Sequence, residues 1–186
     1  MVRALIIVLL TAAPLVAQGG ITWGLHGCMA WSDNDTGSDV GSDDREVFYG
    51  GGIDITYKPP MSPIGVEGGF TYLVHEDEED AFDVSYGAHP IYVNGKFFLN
   101  PMIYVCGGVN YTLWKFEIDG EGVDDLSSEI GFQFGGGVEL GTGGTRLFGS
   151  LMYMIQKGKW EPSGGFGDAD LEFKSFQVRA GLRFGG

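Results

Sequence analysis

Basic residues are scarce in this sequence. Its 186 residues include 11 lysines and arginines against 25 aspartates and glutamates, which gives a formal net charge of −14. A protein that binds a nucleic-acid backbone needs a basic surface to neutralise the phosphates. We therefore exclude nucleic acid as a partner.

Cysteine and histidine are also rare, with two and three residues. A structural zinc site takes four ligands, and the spacing of Cys28 and Cys106 does not suggest one. Ser85 and His89 are about 13 Å apart along extended chain, too far for a nucleophile to hydrogen-bond to its base. No other residues suggest a catalytic triad, so the sequence predicts a protein that is not an enzyme and uses no cofactor.

No apolar run is long enough to cross a bilayer as a helix. The most prominent run, residues 4–16, follows Arg3 and precedes the small residue Ala17. A short apolar run with a basic start and a small residue at its end is typical of an export signal. We predict a signal peptide at residues 1–17 and a single mature domain at residues 18–186.

Alternation of bulky with small or polar residues fills the rest of the chain. In residues 21–31, for example, Trp23, Leu25, Met29 and Trp31 alternate with glycine, histidine, cysteine and alanine. A period of two is typical of a strand. The pattern predicts eight strands, within residues 21–31, 47–57, 64–74, 82–98, 103–113, 130–140, 147–156 and 176–184. In the fourth, the alternation breaks near His89 and Pro90, which predicts a bulge because proline cannot donate to a sheet.

The connections between these strands fall into two groups. Three are short, at residues 59–63, 99–101 and 141–145, whereas four are more acidic and mostly longer, at residues 32–45, 76–81, 117–128 and 158–170. This alternation is typical of an up-and-down meander, in which short turns lie at one end and long loops at the other.

The second face of each strand is a poor surface for water, since it carries mainly glycine, small residues and isolated charges. A barrel in lipid explains both faces, because bulky residues contact acyl chains and small or polar ones fill a narrow interior. Lipid also requires closure, since an open sheet edge would leave backbone groups unpaired. We predict an all-β fold, an eight-stranded antiparallel up-and-down transmembrane β-barrel.

Several segments resemble one family. Residues 91–98 (IYVNGKFF), a short turn and residues 104–111 (YVCGGVNY), with residues 135–139 (GGGVE) and the last strand, are similar to the small bacterial outer-membrane β-barrels. That family includes the membrane domain of outer-membrane protein A and the W- and X-type porin-like proteins. The resemblance implies location in the outer membrane, long loops outside the cell and insertion by the barrel-assembly machinery. Members usually end on an aromatic residue, whereas Gly185 and Gly186 follow Phe184 here.

Charged residues on the inward parity form the first candidate site. We predict that they lie in the turn-proximal half of the lumen and pair with one another, because an unpaired buried charge is costly. Two interpretations remain open, a structural ion-pair plug and a gate or ion-selective constriction. The residues are Asp54, Lys58, Glu67, Lys96, Glu139, Arg146, Arg179 and Arg183.

Apolar residues on the inward parity form the second candidate site. They are interpreted either as simple packing or as a pocket for small apolar solutes, as the resemblance to the W-type proteins suggests. The residues are Phe48, Leu73, Trp114, Met152 and Met154.

The acidic loops suggest a weak third site, at Asp33, Asp35 and Asp39. The spacing of an EF-hand calcium loop fails, since the glycine comes one position early and no glutamate closes the loop. We expect a solvated acidic surface and no bound metal, with divalent bridging to lipopolysaccharide phosphates as the alternative.

The sequence therefore predicts an integral outer-membrane protein with a plugged or very narrow lumen, in a structural or surface-interaction role. A narrow channel or pocket for small apolar solutes and a secreted soluble ligand-binding barrel are the alternatives. The expected partners are outer-membrane lipid, lipopolysaccharide and the barrel-assembly machinery, and we expect a monomer. Cys28 and Cys106 fall on opposite strands, across a diameter of about 16 Å, which predicts two free thiols.

Overall fold

A computed structural model describes residues 20–33, 46–79, 82–118, 121–123, 126–141, 144–160 and 169–186. The predicted signal peptide and much of the long loops lie outside these residues. Within them, no helix is long and apolar enough to cross a membrane.

Nine β-strands make up the described chain. They are β1 (Ile21–Asp33), β2 (Glu46–Tyr57), β3 (Ile64–Glu79), β4 (Phe82–Phe98), β5 (Ile103–Ile118), β6 (Glu121–Val123), β7 (Leu126–Leu140), β8 (Thr145–Trp160) and β9 (Ala169–Gly185).

The strands close into a ring. Apart from β6 and β7, neighbours along the chain pair antiparallel, and β1 also pairs with β9, so the first and last strands meet. The short β6 and the longer β7 both pair with β5, and together they occupy the sixth place in the ring. The predicted eight-stranded antiparallel up-and-down barrel is confirmed. We call the end with residues 58–63 and 99–102 the turn end, and the opposite end the loop end.

The strands continue beyond the apolar alternation at the loop end. β3 extends to Glu79 and β4 begins at Phe82, so most of the predicted loop 76–81 is a continuing hairpin. Backbone pairing needs no apolar face once the strands leave lipid. The alternation therefore marks the membrane-spanning part of each strand and underestimates its length.

The predicted bulge at His89 and Pro90 is wrong. The register of β3 with β4 is the same before and after these residues, since Phe70 lies opposite Ile91 and Leu73 opposite Ala88. β4 also pairs with β5 without a shift. Pro90 faces the lumen and His89 faces outward, where its ring stacks on that of Tyr72 at 4.3 Å. The alternation is thus intact, and only the residue types are unusual. A register shift occurs instead between β7 and β8.

The distribution of residues is inverted relative to a soluble protein. Large apolar side chains are exposed on the outside, for example Ile53 at 50% and Leu151 at 65%, whereas Asn94 and Gln177 are fully buried inside. Such a continuous apolar exterior is unfavourable in water and suits the acyl chains of a bilayer. Aromatic pairs occur on this exterior, such as Trp23 stacked on Phe184 with 4.6 Å between ring centroids.

Candidate functional site in the barrel lumen

A cluster of charged side chains fills the turn-end half of the lumen. Arg183, on β9, contacts three carboxylates. Its Nη2 donates to Asp54 Oδ1 at 2.7 Å and to Glu67 Oε2 at 2.8 Å, and its Nη1 donates to Glu139 Oε1. Lys96 bridges two of the same carboxylates, with Nζ 2.9 Å from Glu67 and 3.4 Å from Glu139.

Arg146 extends this cluster toward the turn end. Its Nη1 lies 3.2 Å from Glu139 Oε2, and its Nη2 donates to the carbonyl of Gly185 at 3.2 Å. We call Asp54, Glu67, Lys96, Glu139, Arg146 and Arg183 the ion-pair network. Its members come from β2, β3, β4, β7, β8 and β9, so the network joins six of the eight strands of the ring.

Glycines on the inward faces of the strands leave room for side chains in the lumen. Gly24 lies opposite Asp54 in the β1–β2 register, and a Cβ there would approach the Asp54 carboxylate carbon to 2.9 Å. Because glycine has no side chain, the carboxylate can lie over β1 and reach Arg183 across it. A side chain at Gly181 would similarly meet the Cβ of His26 at 2.9 Å.

Two of the eight charged residues predicted for this site lie outside the network. Among the described residues, neither Lys58 nor Arg179 forms an ion pair. Arg179 donates through Nε to Gln177 at 2.6 Å and covers the ring of Tyr92. Lys58 follows β2, with its ammonium 4.1 Å from the centroid of Phe98.

Aromatic rings support the lumen cations, and the sequence reasoning missed them. Lys96 lies 3.7 Å from the ring centroid of Tyr104, and Arg183 lies 4.5 Å from that of Phe148. With Lys58 and Arg179, four of the five predicted cations thus rest on a ring. A cation over an aromatic face gains electrostatic stabilisation that grows as water is excluded. The inward parity of these rings could have identified them.

Buried polar side chains were also missed. His26, on β1, lies with Nδ1 3.5 Å from Asp54 and Nε2 3.3 Å from the hydroxyl of Thr71. Gln133 donates to Asn94 at 2.7 Å, and Asn94 in turn donates to Glu67 at 3.4 Å. The parity of each strand predicts that these side chains face inward, but it does not predict which of them meet.

The five predicted apolar residues separate into two groups. Phe48 and Leu73 pack together near the loop end, with Trp114 beside them, around a cavity of about 20 Å³. That volume holds about one water molecule. Met152 and Met154 instead pack with Cys106, whose thiol donates to Met152 Sδ at 3.5 Å.

Of the three residues of the weakly predicted metal site, Asp33 ends β1, and Asp35 and Asp39 lie outside the described residues. Within the part of the chain that the structure describes, no group of three histidine, cysteine or acidic residues could hold a metal ion.

Both cysteines are free, as the strand positions predict.

The closed ring, the apolar exterior and the polar interior define the class of the protein as a membrane-spanning antiparallel β-barrel. The profile of the family described as "Outer membrane protein beta-barrel domain" matches residues 3–184. The chain belongs to this family of outer-membrane proteins, and the predicted resemblance is confirmed.

Solved structures show the same fold at low sequence identity. Neisserial surface protein A aligns with a TM-score of 0.60 and 13% identity, covering 90% of this chain and 98% of its own. AlkL, solved in lipid bilayers, gives 0.54 and 15%, covering 89% of each chain. Ail of Yersinia pestis, in complex with a heparin analogue, gives 0.52 and 16%, covering 89% and 99%. A search of curated proteins finds no match.

Proposed function

We propose that this outer-membrane protein is a closed barrel with a structural and surface-interaction role, and that it does not pass hydrophilic solutes. The observation that carries the proposal is the ion-pair network. Arg183 and Lys96 are 1% exposed, and both bridge carboxylates from different strands across the lumen. A network whose charges are satisfied by one another fills the cross-section and holds the strands together.

Liposome swelling tests closure toward solutes. Liposomes containing the refolded protein are diluted into isosmotic arabinose, with a general porin as the positive control. We expect no swelling above that of protein-free liposomes. Swelling at a rate that rises with the amount of protein would contradict a closed lumen.

Two alternatives have less support. A pocket for apolar solutes is opposed by the loop-end cavity of about 20 Å³, since ligand sites usually measure about 300–1,000 Å³. A secreted soluble barrel is opposed by the exposed apolar exterior. The network would serve as a gate if its ion pairs exchange, and single-channel conductance distinguishes a gate from a permanent plug.

We further propose that the loop end lies outside the cell, because barrels of this kind have short periplasmic turns and longer extracellular loops. Protease added to intact cells should then cut within residues 32–45 or 158–170. Cleavage only after the outer membrane has been opened would reverse the orientation.

The proposed partners follow from the surface. An exterior that is apolar on every strand suits lipid on all sides, which favours a monomer inserted by the barrel-assembly machinery, with lipopolysaccharide around the loop end. We also propose that the protein has no catalytic activity. Sedimentation in detergent should give the mass of one chain, whereas a protein mass of two chains would overturn the monomer.

A further inference from the structure

We propose that the turn end of the barrel contains a binding site for a small organic anion. Its carboxylate or phosphate group would lie between Lys58 and Arg146, and its short apolar part would lie against Phe98. The site goes beyond the proposed function. It depends only on the geometry of the turn end, and it would exist whether or not the lumen conducts ions.

A cavity of about 370 Å³ opens at this end. The two cations and Phe98 line it, together with the hydroxyl-bearing Thr22 and Thr56. Glu139, which pairs with Arg146, lines it as well. Both threonines are at least nine-tenths buried, so their side chains contribute to a formed wall. Volumes of this size are typical of sites for small molecules.

The charge of the lumen favours an anion. The predicted inward set contains three carboxylates and five cations, and all three of these carboxylates are already paired. Lys58 forms no ion pair among the described residues, and Arg146 shares Glu139 with Lys96 and Arg183. Lys58, which has no carboxylate partner among the described residues, therefore faces the same cavity as Arg146, which pairs with one oxygen of Glu139. A charge-assisted hydrogen bond to an anion is the strong interaction open to Lys58.

Accessibility distinguishes this place from the rest of the lumen. Arg179 also lacks an ion pair with any described residue, but it is 3% exposed and lies over the ring of Tyr92 inside the lumen. The side chain of Arg146 is 26% exposed, and Lys58 is half-buried at the mouth. An anion entering from the turn end reaches these two cations first.

The apolar part of the wall selects the kind of anion. Phe98 forms one side, and the turn residues Pro59, Pro60 and Met61 form the rim. Met61 has a φ of 63°, a left-handed conformation that is unfavourable for a residue with a side chain. Strained residues of this type cluster at ligand-binding sites. A wall with both cationic and apolar parts fits an amphiphilic anion better than an inorganic one.

The test is a titration of the folded protein in dodecyl maltoside, a detergent without charge or phosphate. Amide signals of Thr22, Thr56 and Arg146 are followed by nuclear magnetic resonance while hexanoate, inorganic phosphate or hexylammonium is added. A fourth probe, dihexanoylphosphatidylglycerol, distinguishes a lipid headgroup from a free anion. We expect saturable shifts with hexanoate, a Kd on the order of 1 mM, and no shift with hexylammonium.

Variants identify the residues. Lys58→Met should weaken hexanoate binding about tenfold or more, the effect of losing one charge-assisted contact. Lys115→Met, which removes an exposed lysine of β5 near the loop end, should leave binding unchanged. If Lys58→Met does not fold, Lys58→Arg, which keeps the charge, should retain binding within about threefold, roughly 0.7 kcal/mol.

Several results would overturn the site. These are equal shifts with hexanoate and hexylammonium, shifts reproduced by sodium chloride at the same ionic strength, or full affinity in Lys58→Met. A response to inorganic phosphate alone would overturn the amphiphilic ligand. A response to the phospholipid alone would support the anion site and assign its ligand to a lipid headgroup.

Discussion

At the scale of single residues, Arg183 is the most connected side chain of the lumen. It is 1% exposed, contacts the carboxylates of Asp54, Glu67 and Glu139, and lies over the ring of Phe148. Each of these groups is itself buried. Removing the guanidinium would therefore leave the Asp54 carboxylate without its arginine partner in a poorly hydrated space, and it would leave Glu67 and Glu139 paired only with Lys96 and Arg146. Breaking a buried pair in this way costs more than the pair itself contributed.

Arg183→Met should lower the free energy of unfolding by about 3–5 kcal/mol, the usual cost of breaking a buried charge pair. Arg146→Met is the matched control, because its side chain is 26% exposed and water can replace it. We expect the control to cost about 1 kcal/mol or less. Urea unfolding in lipid vesicles, followed by tryptophan fluorescence, measures both. Equal costs would show that burial does not determine the strength of these pairs.

Which residues face the lumen could be predicted from the sequence, but which of them meet could not. The period-two parity correctly puts Asp54, Glu67 and Lys96 inside. It gives no information on the register between strands, and register decides that Arg183 rather than Arg179 meets the three carboxylates. His26 falls on the inward parity of its strand but is not among the predicted site residues, because a single histidine carries no motif.

At the scale of strands, glycines have two distinct roles. Inward glycines give space to side chains that cross the lumen, whereas outward ones face lipid. Each of the eight strands in the ring has a small residue on its outward face, namely Gly27, Gly51, Gly68, Gly95, Gly107, Gly136, Gly149 and Ala180. Four of these lie side by side in register across β2, β1, β9 and β8.

Gly107 and Gly108 give a direct test of this distinction. A Cβ at the outward Gly107 would have its nearest neighbour, the Gln133 carbonyl oxygen, at 3.6 Å, whereas one at the inward Gly108 would overlap the Val93 carbonyl oxygen. Gly107→Ala should stabilise the barrel by about 0.5–1 kcal/mol, because glycine weakens a strand. Gly108→Ala should destabilise it by about 1–3 kcal/mol through overpacking. Unfolding midpoints that move in the same direction for both variants would contradict the assignment of faces.

The turn between β2 and β3 contains a strained residue. Met61 has a φ of 63° and a fully exposed side chain, so its replacement loses no packing. Met61→Asn should stabilise the protein by up to about 1 kcal/mol, because asparagine tolerates this conformation. Met61→Val should destabilise it by about 1–2 kcal/mol, since a β-branched side chain fits there poorly. Thermal unfolding in detergent measures the difference, and a valine variant as stable as the asparagine variant would rule out strain.

At the scale of the whole molecule, closure was predictable because lipid requires it, and strand length was not. The alternation ends where the chain leaves the bilayer, yet β3 continues to Glu79 and β8 to Trp160. The bulge predicted at Pro90 depends on its missing amide donor, and a missing donor does not by itself require a shift of register. The sheet instead keeps one register past this residue.

The position of the two cysteines also belongs to the whole barrel. Cys28 on β1 and Cys106 on β5 lie on opposite strands of the ring, and both thiols are free. Alkylation of the exported protein after unfolding without reductant should label two thiols per chain, as measured by intact mass. A mass two hydrogens lower with no label would indicate a Cys28–Cys106 bond, which this barrel cannot form because the two strands are too far apart.

Single-channel conductance of the refolded protein in a planar bilayer is the most direct test of a lumen closed by the ion-pair network, because ions are the smallest solutes that a gap in the network would admit. The unmodified protein should show no sustained openings. Glu67→Gln combined with Glu139→Gln removes two of the three carboxylates that hold Lys96 and Arg183, and this variant should show openings if it folds. A steady conductance in the unmodified protein, unchanged in the double variant, would contradict a lumen closed by the ion-pair network. Openings of the unmodified protein that the double variant alters would identify the network as a gate.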